Sequence, residues 1–282
     1  MIIQKEIREK SIEWSVPPDT VDKDYVLGHF LAAFHQYHGD QLIFKGGTCL
    51  RKCYFPGYRF SEDLDFTSIN VVFKLESKDI NAVCKSVEQH TGIIFIPEDI
   101  KMLQHQNEKK GYQVKIKYWG ANHLRNQQPL SSDIWLTKIK LEISTDELSL
   151  LPAAYKLVNH PYSDSLISSK PIPCYALNEI IAEKLRSLFQ RSYMAPRDFY
   201  DIYHLTQGFV VKDWQIVKPL FIQKMKHKGF IYTGPQQLIE EPSIKKVRKA
   251  WQSSIAHQIN FDDVDSPDVI INEVISRIEE NL

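Results

Sequence analysis

The stretch of sequence that decides the fold reads RFSEDLDFT, residues 59–67. Because alternate side chains of a strand point to opposite faces, Asp63 and Asp65 share one face while Leu64 and Phe66 share the other. The apolar pair predicts packing into a core, whereas two adjacent carboxylates repel each other unless a cation lies between them. Magnesium prefers such oxygen ligands. The alternative is an exposed edge strand with two solvated acids, since Asp-x-Asp by itself is common.

A second segment, residues 139–143, alternates in the same way. Its three aliphatic side chains point one way, and Lys140 and Glu142 point the other. If the two strands are neighbours, Glu142 joins the two aspartates, and three acids around two metal ions suit phosphoryl or nucleotidyl transfer. An outward polar position explains Glu142 equally well, so both interpretations stay open at this point.

A glycine turn precedes the acidic strand by about fifteen residues. Gly46-Gly47-Thr48 follows a short apolar run and opens a predicted helix. Two glycines let the backbone approach a ligand closely, and the N–H groups at a helix start attract phosphate. Lys52, one turn further on, could reach the same anion. The Gly-x-x-x-x-Gly-Lys-Ser/Thr pattern of a Walker A loop is absent.

The strand patterns lie before about residue 150 and the helical patterns after about residue 177. Four prolines, at positions 152, 161, 171 and 173, disfavour helix between them. We therefore predict an α+β domain over residues 1–150, a Pro-rich connection over residues 151–176, and a helical domain over residues 177–282.

The composition is that of a soluble globular protein, with 282 residues, 43% hydrophobic and 25% charged. Lys+Arg and Asp+Glu both number 35, so a site for a polyanion requires local clustering of cations. The four cysteines lack zinc-finger spacing and are predicted to be reduced and structural. No apolar run is long enough for a signal peptide or a membrane span, which predicts a cytoplasmic protein without membrane partners.

The helical half carries a second set of charged residues. Lys184, Ser187 and Arg191 share a helix face, where the two cations are either solvated or hold a triphosphate. On the next helix, Asp198 and Asp201 either serve an ordinary helical ion pair or have a role at the site. In the second case, one of them orients Lys184 or activates an acceptor hydroxyl.

Taken together, these motifs resemble a known family. In order they are FKGGTCLRK at 44–52, RFSEDLDF at 59–66, KLE at 140–142, EKLRSL at 183–188 and RDFYDIYHL at 197–205. The combination resembles the AbiEii/MenT nucleotidyltransferases, the toxins of type IV toxin–antitoxin and abortive-infection systems, over roughly residues 25–210. The resemblance implies a polymerase-β-like nucleotidyltransferase fold, a mixed sheet with an added C-terminal helical domain.

The resemblance also implies a magnesium- or manganese-dependent reaction with a nucleoside triphosphate as substrate. The residues predicted to be catalytic are Asp63, Asp65, Lys184, Asp198 and Asp201. The predicted metal ligands are Asp63, Asp65 and Glu142. The predicted nucleotide contacts are Gly46, Gly47, Thr48, Lys52, Ser61, Lys184 and Arg191.

The acceptor that the resemblance implies is the 3′ end of tRNA, and a cognate antitoxin is the implied partner. An RNA acceptor requires local cations and stacking surfaces, which the sequence offers at residues 224–228 and 245–251. These segments can equally be solvated helix faces. Two alternatives therefore remain: an enzyme that attaches nucleotides to protein hydroxyls, and a non-catalytic module that binds nucleotide or RNA.

Overall fold

A computed structural model of the chain describes residues 1–105, 108–124, 126–190, 195–207, 211, 213–255, 257–259 and 265–282. The chain divides into two compact units. Unit 1 comprises Met1–Asp146 and Ala153–Cys174, and unit 2 comprises Glu147–Pro152 and Tyr175–Leu282. Most of the stretch that was predicted as a connection, residues 151–176, therefore belongs to unit 1.

Four α-helices lie in the described residues of unit 1. They are α1 (Gln4–Glu13), α2 (Pro18–His38), α3 (Gly46–Cys49), which a π-helical turn (Leu50–Tyr54) continues, and α4 (Ser77–Thr91). Helix α2 begins on a proline, whose fixed φ suits the first turn, and ends at Gly39, which has a φ of 59°. A reciprocal capping box between Glu76 and Asp79 opens α4.

The strands of unit 1 form one mixed sheet. They are β1 (Leu42–Lys45), β2 (Asp63–Ser68), β3 (Ile94–Pro97), β4 (Lys101–His105), β5 (Glu108–Trp119), β6 (Lys138–Ser144), β7 (Ala154–Lys156) and β8 (Ile172–Cys174). Their order across the sheet is β3-β5-β6-β2-β1-β8-β7, and β4 also pairs with β5. The β2–β6 and β1–β8 pairs are parallel and the others are antiparallel. The sheet thus places the acidic strand β2 between the glycine-turn strand β1 and β6.

The proline-rich stretch contains two short strands, β7 and β8. Pro173 lies within β8, where it pairs with Tyr155 of β7, and Phe44 of β1 pairs with Cys174. A proline cannot donate a ladder hydrogen bond, but a strand of three residues has few such bonds to lose. Their assignment depends on pairing with β1, which lies more than a hundred residues earlier and which no local pattern reveals.

The core of unit 1 contains the apolar face of the acidic strand. Leu64 is fully buried and Phe66 is nearly so, whereas Asp63 and Asp65 are partly exposed. The Phe66 ring lies 5.0 Å from that of Phe44 and 5.2 Å from that of Phe34, measured between centroids. The predicted alternation along β2 is therefore confirmed, and burial of the aromatic residues fixes which face carries the acids.

Unit 2 is built mainly from helices. They are α5 (Leu177–Gln190), α6 (Pro196–Thr206), α7 (Trp214–His227), α8 (Glu241–Ile255) and α9 (Pro267–Asn281). Proline occupies the first position of α6 and of α9, as its missing N–H allows. The α+β prediction with a helical second half is confirmed. None of the helices in the described ranges combines the length and apolar character that crossing a bilayer requires.

Candidate active site

Two neighbouring strands gather charged side chains on one face of the sheet. In the parallel register, Asp63 of β2 lies beside Lys140 of β6, and Asp65 lies beside Glu142. The Lys140 Nζ is 3.1 Å from Asp63 Oδ2 and 3.6 Å from Glu142 Oε2. Gln113 of β5 donates a hydrogen bond to Glu142 Oε2 at 3.2 Å. We refer to Asp63, Asp65, Glu142 and Lys140 as the acid cluster.

The electrostatics of the acid cluster favour a cation. Burial, followed by the negative charges of Asp63 and Glu142, raises the pKa of Asp65 from 3.8 to about 6. Burial acts against the charged form of Lys140, but the three acids outweigh it and raise the pKa of its ammonium. Lys140 thus supplies part of the positive charge that the carboxylates require. Among the described residues, oxygens of all three acids do not approach within 4.8 Å of one another.

The glycine turn lies directly against the acid cluster. Lys45, the last residue of β1, pairs with Asp65, and Gly46 follows it with a φ of +80°. A Cβ atom at Gly46 would lie 2.7 Å from Asp65 Oδ2, closer than real Cβ atoms approach. This position therefore requires glycine both for its backbone conformation and for the space that the carboxylate occupies.

The second glycine packs against residues of the segment that leads into β2. A Cβ atom at Gly47 would lie 2.8 Å from Arg59 Nη2 and 2.9 Å from Ser61 Oγ. Arg59 is almost fully buried and donates a hydrogen bond to the Phe60 carbonyl at 3.1 Å. The structure therefore brings together Gly46, Gly47, Ser61 and the acid cluster, and it adds Arg59, whose role the sequence did not single out.

Two predicted nucleotide contacts have other partners. The Thr48 hydroxyl is buried and donates to the Asp63 carbonyl at 2.5 Å, so it ties the helix start to β2. Lys52 is 1% exposed, and its Nζ bonds Asp24 Oδ2 at 2.6 Å. Burial of that ion pair removes the Lys52 ammonium from solvent. The predicted phosphate contact of Lys52 is therefore not supported, because the helix turns its side chain toward α2.

The helical unit holds the second set of predicted residues. Lys184 of α5 places its Nζ 2.7 Å from Asp198 Oδ1 and 2.7 Å from Asp201 Oδ2, both on α6. Both aspartates are completely buried, whereas Lys184 keeps 13% of its side chain exposed. Their burial favours the interpretation in which the acids position the lysine over the one in which an acid contacts an acceptor. Arg191 lies outside the described residues.

The fold and these sites define a class, a nucleotidyltransferase with an acidic strand beside a glycine turn, and the comparisons with known proteins agree. The sequence pattern of the family described as the nucleotidyl transferase AbiEii toxin of type IV toxin–antitoxin systems matches residues 29–272. The chain therefore belongs to the AbiEii family of nucleotidyltransferase toxins. No curated protein matches its sequence.

The chain is also similar to solved structures. The nucleotidyltransferase toxin MenT4 from Mycobacterium tuberculosis superposes with a TM-score of 0.61 at 19% identity, over 99% of this chain and 100% of MenT4. JHP933 from Helicobacter pylori has a TM-score of 0.47 at 17% identity, over 90% of this chain and 91% of its own. An antigenic nucleotidyltransferase-like protein from Paracoccidioides brasiliensis has a TM-score of 0.32 at 12% identity, over 86% and 96% of the two chains. The MenT4 match confirms the predicted fold class.

Proposed function

We propose that this chain is a magnesium-dependent toxin that transfers a nucleoside monophosphate from a nucleoside triphosphate to a hydroxyl group, with the 3′ end of tRNA as the acceptor. One observation carries the proposal. The carboxylates of Asp63, Asp65 and Glu142 share a sheet face, where burial and the charges of the other two acids raise the pKa of Asp65. Such a set of oxygen ligands fits a hard divalent cation.

The metal ion would be held by Asp63, Asp65 and Glu142. It would displace the Lys140 ammonium from its position beside these carboxylates. When bound, Mg²⁺ supplies charge neutralisation at the α-phosphate and at the departing pyrophosphate. Lys140 competes for the same oxygens at 3.1 and 3.6 Å, so its long flexible side chain serves as a reversible occupant. The same ammonium then remains close enough to balance phosphate charge.

The glycine turn would accept the triphosphate. Helix α3 starts at Gly46, and Ser61 and Arg59 lie beside Gly47. Backbone N–H groups and a guanidinium suit phosphate oxygens. In the reaction, the acceptor oxygen forms a bond to the α-phosphorus, the bond to the bridging oxygen of the β-phosphate breaks, and pyrophosphate leaves. The hydroxyl proton passes to solvent.

Lys184 would contribute a second, fixed positive charge. Two buried aspartates hold its Nζ at 2.7 Å each, which restricts the ammonium to one position. A cation fixed in advance stabilises developing charge without reorganisation at the moment of reaction. We propose Lys184 as a nucleotide contact and assign Asp198 and Asp201 as its positioning residues.

The tRNA acceptor and the antitoxin partner rest on the family, because each cationic segment buries one of the side chains that could have contacted RNA, although Lys226, Lys246 and Lys249 are exposed. Lys224 is fully buried and bonds Glu179 at 3.0 Å, and Trp251 is 3% exposed. Lys245 pairs with Glu241 at 2.7 Å. Stacking platforms for single-stranded RNA require exposed aromatic rings, which Trp251 does not provide.

The proposal is tested by incubating the protein with each α-labelled nucleoside triphosphate, Mg²⁺ and total cellular RNA, beside an Asp65→Asn variant. The exposed Asp99 provides a matched control, Asp99→Asn. We expect label on tRNA with wild type and Asp99→Asn, and at least about a 100-fold loss with Asp65→Asn. Label on protein alone would show a protein hydroxyl as acceptor. Bound triphosphate without transfer would show a binding module.

A growth assay tests the toxin role. Induced expression of wild type and of Asp99→Asn should arrest bacterial growth, and expression of Asp65→Asn should not. Co-expression of the cognate antitoxin should restore growth of the first two. Equal growth of all three strains at equal protein levels would contradict the toxin assignment even if transfer occurs in vitro.

A further inference from the structure

A second cluster of metal-ligating side chains lies in unit 1 and shares no residue with the acid cluster. It comprises His29 of α2 with His160 and Asp164, both in the segment between β7 and β8. One ligand atom from each residue lies within 4.8 Å of the other two. The His160 Nε2 is 2.9 Å from Asp164 Oδ1, and the His29 Nε2 is 3.6 Å from Asp164 Oδ2. We call these three residues the histidine cluster.

The histidine cluster contains buried nitrogen atoms that lack hydrogen-bond partners. His29 is 0% exposed, and in the described part of the chain neither of its ring nitrogens is hydrogen-bonded. The Nδ1 of His160 is likewise buried without such a bond. A neutral imidazole has one donor and one acceptor, and leaving either of them unpaired in the interior is unfavourable. Buried polar groups in native proteins normally have a hydrogen-bond or metal partner. Three unpaired nitrogens in one cluster therefore indicate a ligand at this position.

A metal ion at this position would supply a partner for one ring nitrogen of each histidine. The lone pair of a neutral imidazole is a metal ligand. Two imidazoles and one carboxylate suit zinc or a related divalent transition metal, whereas magnesium prefers oxygen ligands alone.

The surroundings of the histidine cluster match those of a supported ligand set. The Tyr25 hydroxyl donates to Asp164 Oδ2 at 2.6 Å and so orients the carboxylate, as outer partners of metal ligands commonly do. Asp164 keeps 27% of its side chain exposed, which provides access for an ion. His29 lies on a long helix, whereas the other two ligands lie in the connection between two three-residue strands.

We propose that His29, His160 and Asp164 bind a divalent transition-metal ion, with Zn²⁺ preferred, which fastens the segment between β7 and β8 to helix α2. This structural site is independent of the nucleotidyl transfer proposed above. The ion requires no redox chemistry, and the segment it fastens carries β8, the strand that pairs with the glycine-turn strand β1.

The main rival for a soft ion is a set of three thiols. The Sγ atoms of Cys49, Cys53 and Cys174 also lie within 4.8 Å of one another. We call these residues the thiol cluster. Thiolates bind zinc as well, so the experiment has to tell the two clusters apart.

The test measures zinc binding by the full chain without a histidine tag, after EDTA treatment and dialysis, in excess Mg²⁺. We expect about one Zn²⁺ per chain and a higher unfolding temperature with Zn²⁺ present. His160→Gln and Asp164→Asn should each lower zinc affinity at least about 100-fold. The matched control is His35→Gln, because His35 lies on the same helix and faces the exposed Asp40 at 3.3 Å. That control and Cys53→Ser should bind zinc like wild type.

Several results would overturn the site. They are absence of zinc binding by wild type, unchanged affinity in both ligand variants, or loss of binding in Cys53→Ser. If the ligand variants fail to fold, the spectrum of the Co²⁺-loaded wild type decides. Visible bands without a thiolate-to-cobalt charge-transfer band support nitrogen and oxygen ligands. A charge-transfer band assigns the ion to the thiol cluster, and no visible band at all means that no tight site exists.

Discussion

Replacing Asp65 by Asn should stabilise the metal-free protein at neutral pH, although it should abolish activity. The carboxylate of Asp65 is largely buried beside Asp63 and Glu142. Burial and the two neighbouring charges raise its pKa from 3.8 to about 6. At neutral pH the folded protein therefore carries an ionised group that its surroundings disfavour. Asparagine has nearly the same shape and no charge, so it should relieve that repulsion.

The magnitude follows from the size of the pKa shift. A shift of about two pH units corresponds to about 3 kcal/mol, because each unit is about 1.36 kcal/mol. Partial exposure of Asp65 lets water screen the charge, so we expect about 1–3 kcal/mol. The folded state binds the proton of the Asp65 carboxyl more tightly than the unfolded chain does. Protonation of Asp65 therefore stabilises the folded state, and this stabilisation is complete below about pH 4. It is lost as the pH rises to about 6 and above.

Urea unfolding in EDTA measures the effect for wild type, Asp65→Asn and the exposed control Asp99→Asn. At about pH 7.5, Asp65→Asn should unfold with a free energy about 1–3 kcal/mol above wild type, and the difference should shrink as the pH falls toward 4. Asp99→Asn should lie within about 0.5 kcal/mol of wild type. Mg²⁺ should then stabilise wild type more than Asp65→Asn. A variant that is less stable than wild type at pH 7.5 without metal, or a difference independent of pH, would refute the reasoning.

Three further perturbations test the same structure. Gly46→Ala should lower the free energy of unfolding by about 1–3 kcal/mol, because φ is +80° and the new Cβ would lie 2.7 Å from Asp65 Oδ2. Gly92→Ala is the control in the same urea assay, because Gly92 has a φ of +81° and open space around it, so this variant measures the backbone cost alone. Equal losses in the two variants would contradict the predicted contact with Asp65. Lys184→Met should lower the free energy of unfolding in urea by about 3–5 kcal/mol, because it leaves the buried carboxylates of Asp198 and Asp201 without the Lys184 ammonium. A loss below about 1 kcal/mol would show that the burial of these carboxylates does not depend on Lys184. Hydrogen bonds from the other two thiols of the thiol cluster lower the pKa of Cys53 to about 5, whereas burial raises that of Cys84 to about 12. Iodoacetamide at about pH 7 should therefore alkylate Cys53 at least about tenfold faster than Cys84, as measured by mass spectrometry. Faster labelling of Cys84 would contradict a thiolate at Cys53.

Local sequence patterns were sufficient for much of the candidate site. Alternation along residues 63–67 predicted which side chains enter the core, because a strand has a period of two residues. The two glycines predicted a sharp turn at 46–47, and only glycine meets its φ and spacing there. The helices of unit 2 followed from the helical patterns after about residue 177, because apolar side chains recur there with the period of a helix.

Other features depended on contacts between distant segments. The parallel β2–β6 register sets Glu142 beside Asp65 and Lys140 beside Asp63, a neighbourhood that the alternation within residues 139–143 does not reveal. Likewise, no spacing in the sequence indicated that Lys52 would bury its charge against Asp24. Parallel neighbours and buried ion pairs join residues far apart in the chain, and a local pattern does not encode them.

The sequence by itself therefore determined the acids and the turn, because strand alternation and glycine geometry act over a few residues, and its resemblance to a known family gave the class of chemistry. Only the tertiary structure decided which cation stands among the acids, that the proline-rich stretch adds two strands to the sheet, and that three cysteines and a pair of histidines with an aspartate converge. The physical reason is that these arrangements arise from chain closure across up to about 130 residues, where pairing register and burial, and not local propensity, set which side chains meet.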